Sequence, residues 1–317
     1  MREEIIVVTW GGIGDLMLCT PALKALKEEN PHSRIIVYYQ HFHPGHKQVL
    51  LNNPHIDSLR ELHVTSMWRY PRHLFVYLFK RKKWIKDRKY YHMYLNHVPA
   101  TWIYEKNYKE VAADVFDVKL SGDRKIQLFF TAAEEQQARE RIRHFKNVVF
   151  IHTYSKCSVN HLWDIKKWNR LVKELPELTF IQIGMPNEPT VEGAIDWRSK
   201  LSLRETLCQL KYATSFVGVE SSFAHATNAF NLPGVVLFGD TSPQHWGHEN
   251  NVNIYKGVAC SPCFHYLWGR SCPLGNDCMK LIEVEEVKEA LIRQVSISSA
   301  GFRQEAPAAE LIGKLHL

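Results

Sequence analysis

Residues 216–229 read F-V-G-V-E-S-S-F-A-H-A-T-N-A. Phe216 to Val219 make an apolar run of strand length, Glu220, Ser221 and Ser222 break it, and a helix-like run starts at Phe223. A strand passing straight into a helix leaves the first helical N–H groups unpaired. Aimed back at the turn and joined by the helix dipole, they make a seat for phosphate oxygens. Small side chains at Ser221 and Ser222 let a pyrophosphate approach the main chain, and their hydroxyls can donate as well. Ser221 fits equally well as the N-cap of a purely structural helix.

The next segment repeats the pattern. Residues 233–243 read P-G-V-V-L-F-G-D-T-S-P, a second buried strand ending in a Gly239-Asp240-Thr241 turn. Ligands of open α/β sheets gather at such strand ends. Upstream, 148–152 and 179–183 read as strands, with helices over 165–175 and 202–212. The chain opens the same way: strand 5–9, helix 21–29 ending before Asn30-Pro31, strand 33–39. This is a β-α-β unit of a parallel sheet. Between the two series, 131–145 carries Glu134, Glu135, Arg139, Glu140, Arg141 and Arg143 and reads as a surface helix. The expected fold class is therefore α/β with two Rossmann-like domains, residues 1–146 and 147–295. A cysteine-rich loop at 260–278 belongs to the second. A final helix over 283–295 precedes a small, polar tail, 296–317.

Length and composition agree with two globular domains: 317 residues, 45% hydrophobic and 23% charged. No apolar run is long enough to span a bilayer, and Met1-Arg2-Glu3-Glu4 leads directly into a strand without the pattern of a secretory signal. The expected location is the cytoplasm, where seven cysteines are reduced or metal-bound rather than paired. The net charge of +7 is concentrated between Arg60 and Lys89, where Arg69, Arg72, Lys80, Arg81, Lys82, Lys83, Lys86 and Arg88 alternate with aromatic residues. Such a surface suits an anionic partner: membrane lipid, an acidic glycan or nucleic acid. A solvated helix face over core aromatics is the alternative.

Residues 10–21, W-G-G-I-G-D-L-M-L-C-T-P, close the first strand with glycines and then a carboxylate, Asp15, which would repel phosphate. Asp15 suits a helix cap. Gly11, Gly12 and Gly14 leave the main chain of this turn open to close approach. Near the other end Cys260, Cys263, Cys272 and Cys278 stand in a C-x2-C-x8-C-x5-C arrangement. Four thiolates at such spacing can close a structural zinc or iron site with no open position. Free thiols or two disulfides fit the spacing too.

Taken as an ordered set, Gly12-Ile13-Gly14-Asp15 with Thr20-Pro21-Ala22-Leu23, Gly218 to Ser222 with His225, and Leu237 to Thr241 resemble the heptosyltransferases and relatives of glycosyltransferase family 9. The resemblance covers most of the chain from Ile5 to Leu291 and is poorest from Asn53 to Lys125. It implies GT-B architecture, with two Rossmann-like domains facing a central cleft, and Asp15 as general base on the acceptor side. It also implies that Ser221, Ser222 and the amide of Phe223 bind the donor diphosphate beside Glu220 and His225. Glu220 stands where relatives usually have Asp, and Ser222 where Gly is common. The segment from His152 through Ser155 and Lys156 to Trp163 resembles the family's phosphate-binding loop, with His161 where a lysine is usual; Lys156 is expected to supply the charge. Glu188 matches the residue that holds the nucleotide ribose, and Leu201 begins the segment bordering the base.

The expected function is inverting transfer of a sugar, a heptose carried on ADP, to an acidic or lipid-linked glycan such as lipopolysaccharide core. No catalytic metal is expected, and peripheral contact with an anionic membrane is. A dinucleotide-dependent oxidoreductase would predict G-x-G-x-x-G, but Asp15-Leu16-Met17 follows Gly12-Ile13-Gly14. A nucleic-acid module would predict basic residues around the cysteines, where Glu283, Glu285 and Glu286 follow instead.

Overall fold

The computed structural model describes residues 3–9, 11–40, 44–62, 82–85, 88–93, 105–120, 122, 124–263 and 270–304. The first series of elements is β1 (Glu4–Thr9), α1 (Ile13–Glu29), β2 (Arg34–Gln40), α2 (Pro44–Leu50), β3 (Ser58–Leu62), β4 (Lys82–Ile85), β5 (Arg88–Met93) and α3 (Tyr108–Phe116). Its strands lie in the order β3-β2-β1-β5-β4, parallel except for the β4–β5 pair. Central β1 is covered on both faces, so Ile5, Ile6, Val7 and Val8 are all buried and the strand reads as a continuous apolar run.

After α4 (Ala132–Ile142) come β6 (Val148–His152), α5 (Ile165–Lys173), β7 (Thr179–Gln182), β8 (Ile195–Asp196), α6 (Leu203–Leu210), β9 (Ser215–Val219) and α7 (Ser222–Ala229). They are followed by β10 (Gly234–Phe238), α8 (Pro243–Trp246), β11 (Asn251–Tyr255), α9 (Asp277–Lys280) and α10 (Val284–Gln304). This second sheet is parallel throughout, in the order β11-β10-β9-β6-β7-β8.

Strand order locates the crevices. From β6 the chain moves outward to β7 and β8 and returns to β9 on the other side, so the order reverses between β6 and β9. In the first sheet it reverses between β1 and β5. Reversal opens a cleft at the carboxyl ends of the two strands, because their helices lie on opposite faces. Asp15 follows β1, and the Ser221 turn follows β9.

The helix after β1 begins at Ile13, eight residues before the expected start, with Pro21 inside it. Proline lacks the N–H that would bond the carbonyl of Met17, and the Thr20 hydroxyl donates to that carbonyl instead, at 2.6 Å. Asp15 is consequently the third residue of α1 rather than the end of a turn. At the other end α10 runs to Gln304, through residues expected to begin the tail; Ser296 is accommodated by donating its hydroxyl to the Ile292 carbonyl at 2.9 Å. The basic, aromatic segment from Arg69 to Lys89 lies outside the described residues, apart from the backbone of β4 and the start of β5.

One apolar cluster joins the two series, running from Ile5, Leu16 and Leu23 through Tyr108 and Phe116 to Phe216, Phe223 and Trp246. Tyr108 of α3 stacks on Trp246 of α8 with ring centroids 5.0 Å apart, a contact worth ~0.5–1.5 kcal/mol beyond its area. Arg204 of α6 spans the same seam. It donates to the carbonyls of Gln48 at 2.8 Å and Phe129 at 2.7 Å and forks onto Glu134 at 2.5 and 3.0 Å. Among the described residues no helix is long and apolar enough to cross a membrane.

Candidate active site

Asp15 sits where the two sheets meet. The Gly12 N–H donates to its Oδ2 at 2.6 Å, and Gly11, at φ +125°, leaves no room there for a side chain: a Cβ would stand 2.4 Å from that oxygen. Burial raises the Asp15 pKa from 3.8 to about 6, against the Gly12 hydrogen bond and the His225 charge, while Glu220 adds to the rise. On the far side, a Cβ at Gly14 would lie 2.8 Å from His225 Cδ2 and 3.7 Å from Ser222 Cα. The N-termini of α1 and α7 thus abut, and glycine at 14 is what permits it.

His225, in the first turn of α7, is buried, with Nε2 at 3.0 Å from Glu220 Oε1 and Nδ1 at 3.0 Å from His248 Nε2. Glu220 also faces His161 Nδ1 at 3.6 Å, and His161 Nε2 lies 2.5 Å from Asp240 Oδ1. Burial disfavours a cationic His161, but the Asp240 hydrogen bond and the two carboxylates outweigh it and raise its pKa. Burial would likewise raise Glu220 and Asp240; the histidines facing them turn both shifts downward. His248, desolvated and beside His225 and Lys109, is held well below the ordinary histidine range. His161 is fully buried in this ionic chain, whereas Lys156, in the loop after β6, is exposed.

Ser221 is the N-cap of α7, its hydroxyl oxygen accepting from the Ala224 N–H at 3.5 Å. That oxygen is also 3.0 Å from His152 Nδ1 across the β6–β9 crevice. The opposite ring nitrogen, Nε2, lies 3.7 Å from Glu188 Oε1, and Phe223 meets the imidazole edge-on at 4.8 Å. Glu188 Oε1 accepts from the Met185 N–H at 2.8 Å, while its buried Oε2 has no hydrogen-bond partner among the described residues. Gly184, at φ +135°, makes room for that carboxylate. Ser155 is buried in the loop that follows β6 and Leu201 half-buried ahead of α6, where neighbouring Leu203 reaches toward Gly45 of α2.

The structure therefore brings Asp15, Gly14, Glu220, His161 and His225 into one cluster and Ser221, Phe223 and Glu188 into an adjoining one. Sequence reasoning did not single out Asp240, His152 or His248 as site residues. Asp240 carried a signal, a carboxylate at a strand end; His248 carried none.

The four cysteines Cys260, Cys263, Cys272 and Cys278 line one cavity of about 220 Å³ together with Asn160 and Asp240. Burial pushes the Cys263 and Cys278 thiols up to about 11 and about 12. Among the described residues no three His, Cys, Asp or Glu side chains are arranged to hold a metal ion. The thiols share a wall without converging on a centre.

The family model for glycosyltransferase family 9 (heptosyltransferase) matches residues 98–269, more than half of the chain. No curated protein sequence matches it. Among solved structures, a family 9 glycosyl transferase from Veillonella parvula is similar at 13% identity and a TM-score of 0.68, covering 93% of this chain and 97% of its own. The Escherichia coli ADP-heptose lps heptosyltransferase II is similar at 13% identity and a TM-score of 0.68, covering 94% and 100%. TibC, an iron-containing dodecameric glycosyltransferase from enterotoxigenic E. coli, is similar at 16% identity and a TM-score of 0.65, covering 94% and 77%. These likenesses fix the GT-B fold.

Proposed function

The chain belongs to glycosyltransferase family 9 and transfers glycosyl groups, and we propose that it moves a heptose from ADP-heptose to a hydroxyl of an acidic or lipid-linked glycan such as lipopolysaccharide core, with inversion. The observation that carries this is the carboxylate of Asp15, half-buried at the meeting of two strand-order reversals, opposite the α7 N-terminus and with a pKa of about 6. A base poised just below neutrality is ionised when it must accept a proton and still basic enough to hold it.

In this scheme Asp15 takes the proton from the acceptor hydroxyl as its oxygen bonds to the anomeric carbon. The bond from that carbon to the diphosphate oxygen breaks, and its electron pair leaves with the nucleoside diphosphate. The free N–H groups at the start of α7, the hydroxyls of Ser221 and Ser222 and the Lys156 ammonium meet the charge that develops. Glu188, whose buried Oε2 has no donor among the described residues, accepts from the ribose hydroxyls, and Leu201 borders the base. Glu220 and His225, paired at 3.0 Å beside the α7 N-terminus, complete the donor side. The scheme uses no catalytic divalent ion.

The donor class is supported by the family description and by the ADP-heptose named for the E. coli heptosyltransferase. The acceptor class rests on the basic composition of residues 69–89, which also suits peripheral contact with the inner face of an anionic membrane from the cytoplasm. A structural zinc or iron ion on Cys260, Cys263, Cys272 and Cys278 belongs to the proposal as well. Their sharing one cavity supports it and their lack of convergence weighs against it, so no step runs through that ion.

A thermal-shift panel of nucleoside diphosphates and nucleotide sugars tests the assignment. A ligand that binds only the folded chain stabilises it by ~2.7 kcal/mol at a hundredfold excess over Kd. ADP and ADP-sugars should give the largest shifts. Preferential stabilisation by NAD would favour an oxidoreductase, and by short oligonucleotides a nucleic-acid module.

A further inference from the structure

The cysteine-rich loop reaches the donor side of the cleft through one amide side chain. Asn160 is buried near the end of the loop that follows β6, and its side chain is a junction of three hydrogen bonds. Nδ2 donates to Asp240 Oδ2 at 3.3 Å and to the Arg270 carbonyl at 3.0 Å, while Oδ1 accepts from the Cys272 N–H at 2.8 Å. Both hydrogens of the amide are thereby spent. The Asp240 carboxylate in turn holds the donor loop: Ser158 Oγ donates to Oδ2 at 2.5 Å, and His161 Nε2 lies 2.5 Å from Oδ1. Residues 153–161, which carry Ser155 and Lys156, are thus tied through Asn160 to residues 270–272 of the cysteine loop.

These ties are hydrogen bonds rather than packing. Asn160 and Asp240 share the walls of the 220 Å³ cavity with the four cysteines, so packed side chains do not fill the space between them. Leu274, on the same wall, is 62% exposed. A segment held in this way opens locally at a lower free energy than the whole chain unfolds. Lifting residues 270–278 breaks two of the three Asn160 bonds and leaves the amide, and the Asp240 carboxylate it touches, without support from behind.

We propose that Asn160 is a positioning residue for donor binding: it couples closure of the cysteine loop to the shape of the loop that meets the diphosphate, so that a nucleoside diphosphate prefers the closed state. This rests on the donor site described above. Asn160 acts through Asp240, Ser158 and His161 and touches no reacting atom. By linkage, a ligand that prefers the closed loop closes it by the same factor. The four cysteines thereby influence the donor site without lying in it, because whatever holds their loop shut favours the donor.

Hydrogen exchange of the full chain, with and without saturating ADP, reads the opening of the loop. The reporter is the Gly275 N–H, which donates to the Cys272 carbonyl at 3.4 Å and so follows the loop without bonding to Asn160. In the wild type, ADP should slow exchange at Gly275 by ~5-fold or more, the lower end of ordinary coupling between sites, together with exchange at 153–157 and 221–224. Asn160→Ala, saturated with ADP according to its own titration, should keep the protection at 153–157 and 221–224 and lose the response at Gly275. An Asn160 that merely braces the loop predicts faster exchange at Gly275 with its response to ADP intact. That result, or no response at Gly275 in the wild type, a measurement that needs no variant, overturns the coupling while leaving the donor site standing. Protection at neither 153–157 nor 221–224, or failure of ADP, GDP, UDP and CDP alike to bind, overturns the donor site and the coupling with it.

Discussion

Asp15→Asn separates a base from a cap, because the two roles predict opposite changes in stability. The folded-state pKa of Asp15 lies near 6 against 3.8 for an ordinary aspartate. Between these values the folded chain holds a proton that the unfolded chain has released, so stability falls as pH rises from ~4 to ~6 and stays lower above. Two pK units correspond to ~3 kcal/mol, and partial exposure of the site reduces this to roughly 1–2 kcal/mol. Asparagine resembles the protonated acid: its Oδ1 still accepts from Gly12 N–H, and no charge is buried. At pH 8 the variant should therefore melt roughly 2–8 °C above the wild type, at 2–4 °C per kcal/mol, and the gain should vanish below pH ~4. Turnover should fall by a factor of ~10²–10⁴, with ADP affinity nearly unchanged. Wild-type kcat/KM should rise up to pH about 6 and level off above it. Differential scanning fluorimetry across pH, beside a sugar-transfer assay, reads all of these. A lower melting point at pH 8, or undiminished turnover, would mean that Asp15 serves only the helix.

Arg204→Ala should destabilise the chain by ~3 kcal/mol, because it strands two carbonyls and a carboxylate at the seam. Calorimetry should show the melting point lowered by roughly 6–12 °C, and a loss under 1 kcal/mol would remove Arg204 from the set of interlobe contacts. The same variant should lose acid sensitivity: Arg204 holds the Glu134 carboxyl at about 2 instead of 4.5, so the pair's contribution is whole above pH 4.5 and disappears as pH falls toward 2. Gly14→Ala places a Cβ 2.8 Å from His225 Cδ2 and must push that ring off its 3.0 Å contact with Glu220. Displacement of that kind costs ~10²-fold in turnover, and wild-type steady-state rates for this variant would show that the abutting helix ends are not part of the site.

Element type was legible wherever local pattern decides it. The apolar runs of β6, β9 and β10 and the charged surface-helix stretch of α4 are written in neighbouring residues, and the structure follows them. The start of α1 was not, because proline normally marks the first turn of a helix and the Thr20 hydroxyl that rescues an interior one has no signature beyond its position. The contacts of the histidines were not legible either. His161 lies buried beside Asp240 and Glu220, in an ionic chain that only tertiary structure assembles.

His152 shows what kind of information was missing. It lies 69 residues from Ser221, and nothing about a histidine at the end of an apolar strand distinguishes a ligand from a core residue. What joins the two is strand order: β6 and β9 become neighbours only because the chain departs to β7 and β8 and returns on the opposite side. The same reversal that opens the crevice for a diphosphate therefore also brings the imidazole to its rim. A matching reversal between β1 and β5 delivers Asp15 to the facing edge. Site residues of this fold are thus best sought at the carboxyl ends of the strands flanking each reversal, including those whose side chains have no ligand-binding pattern of their own.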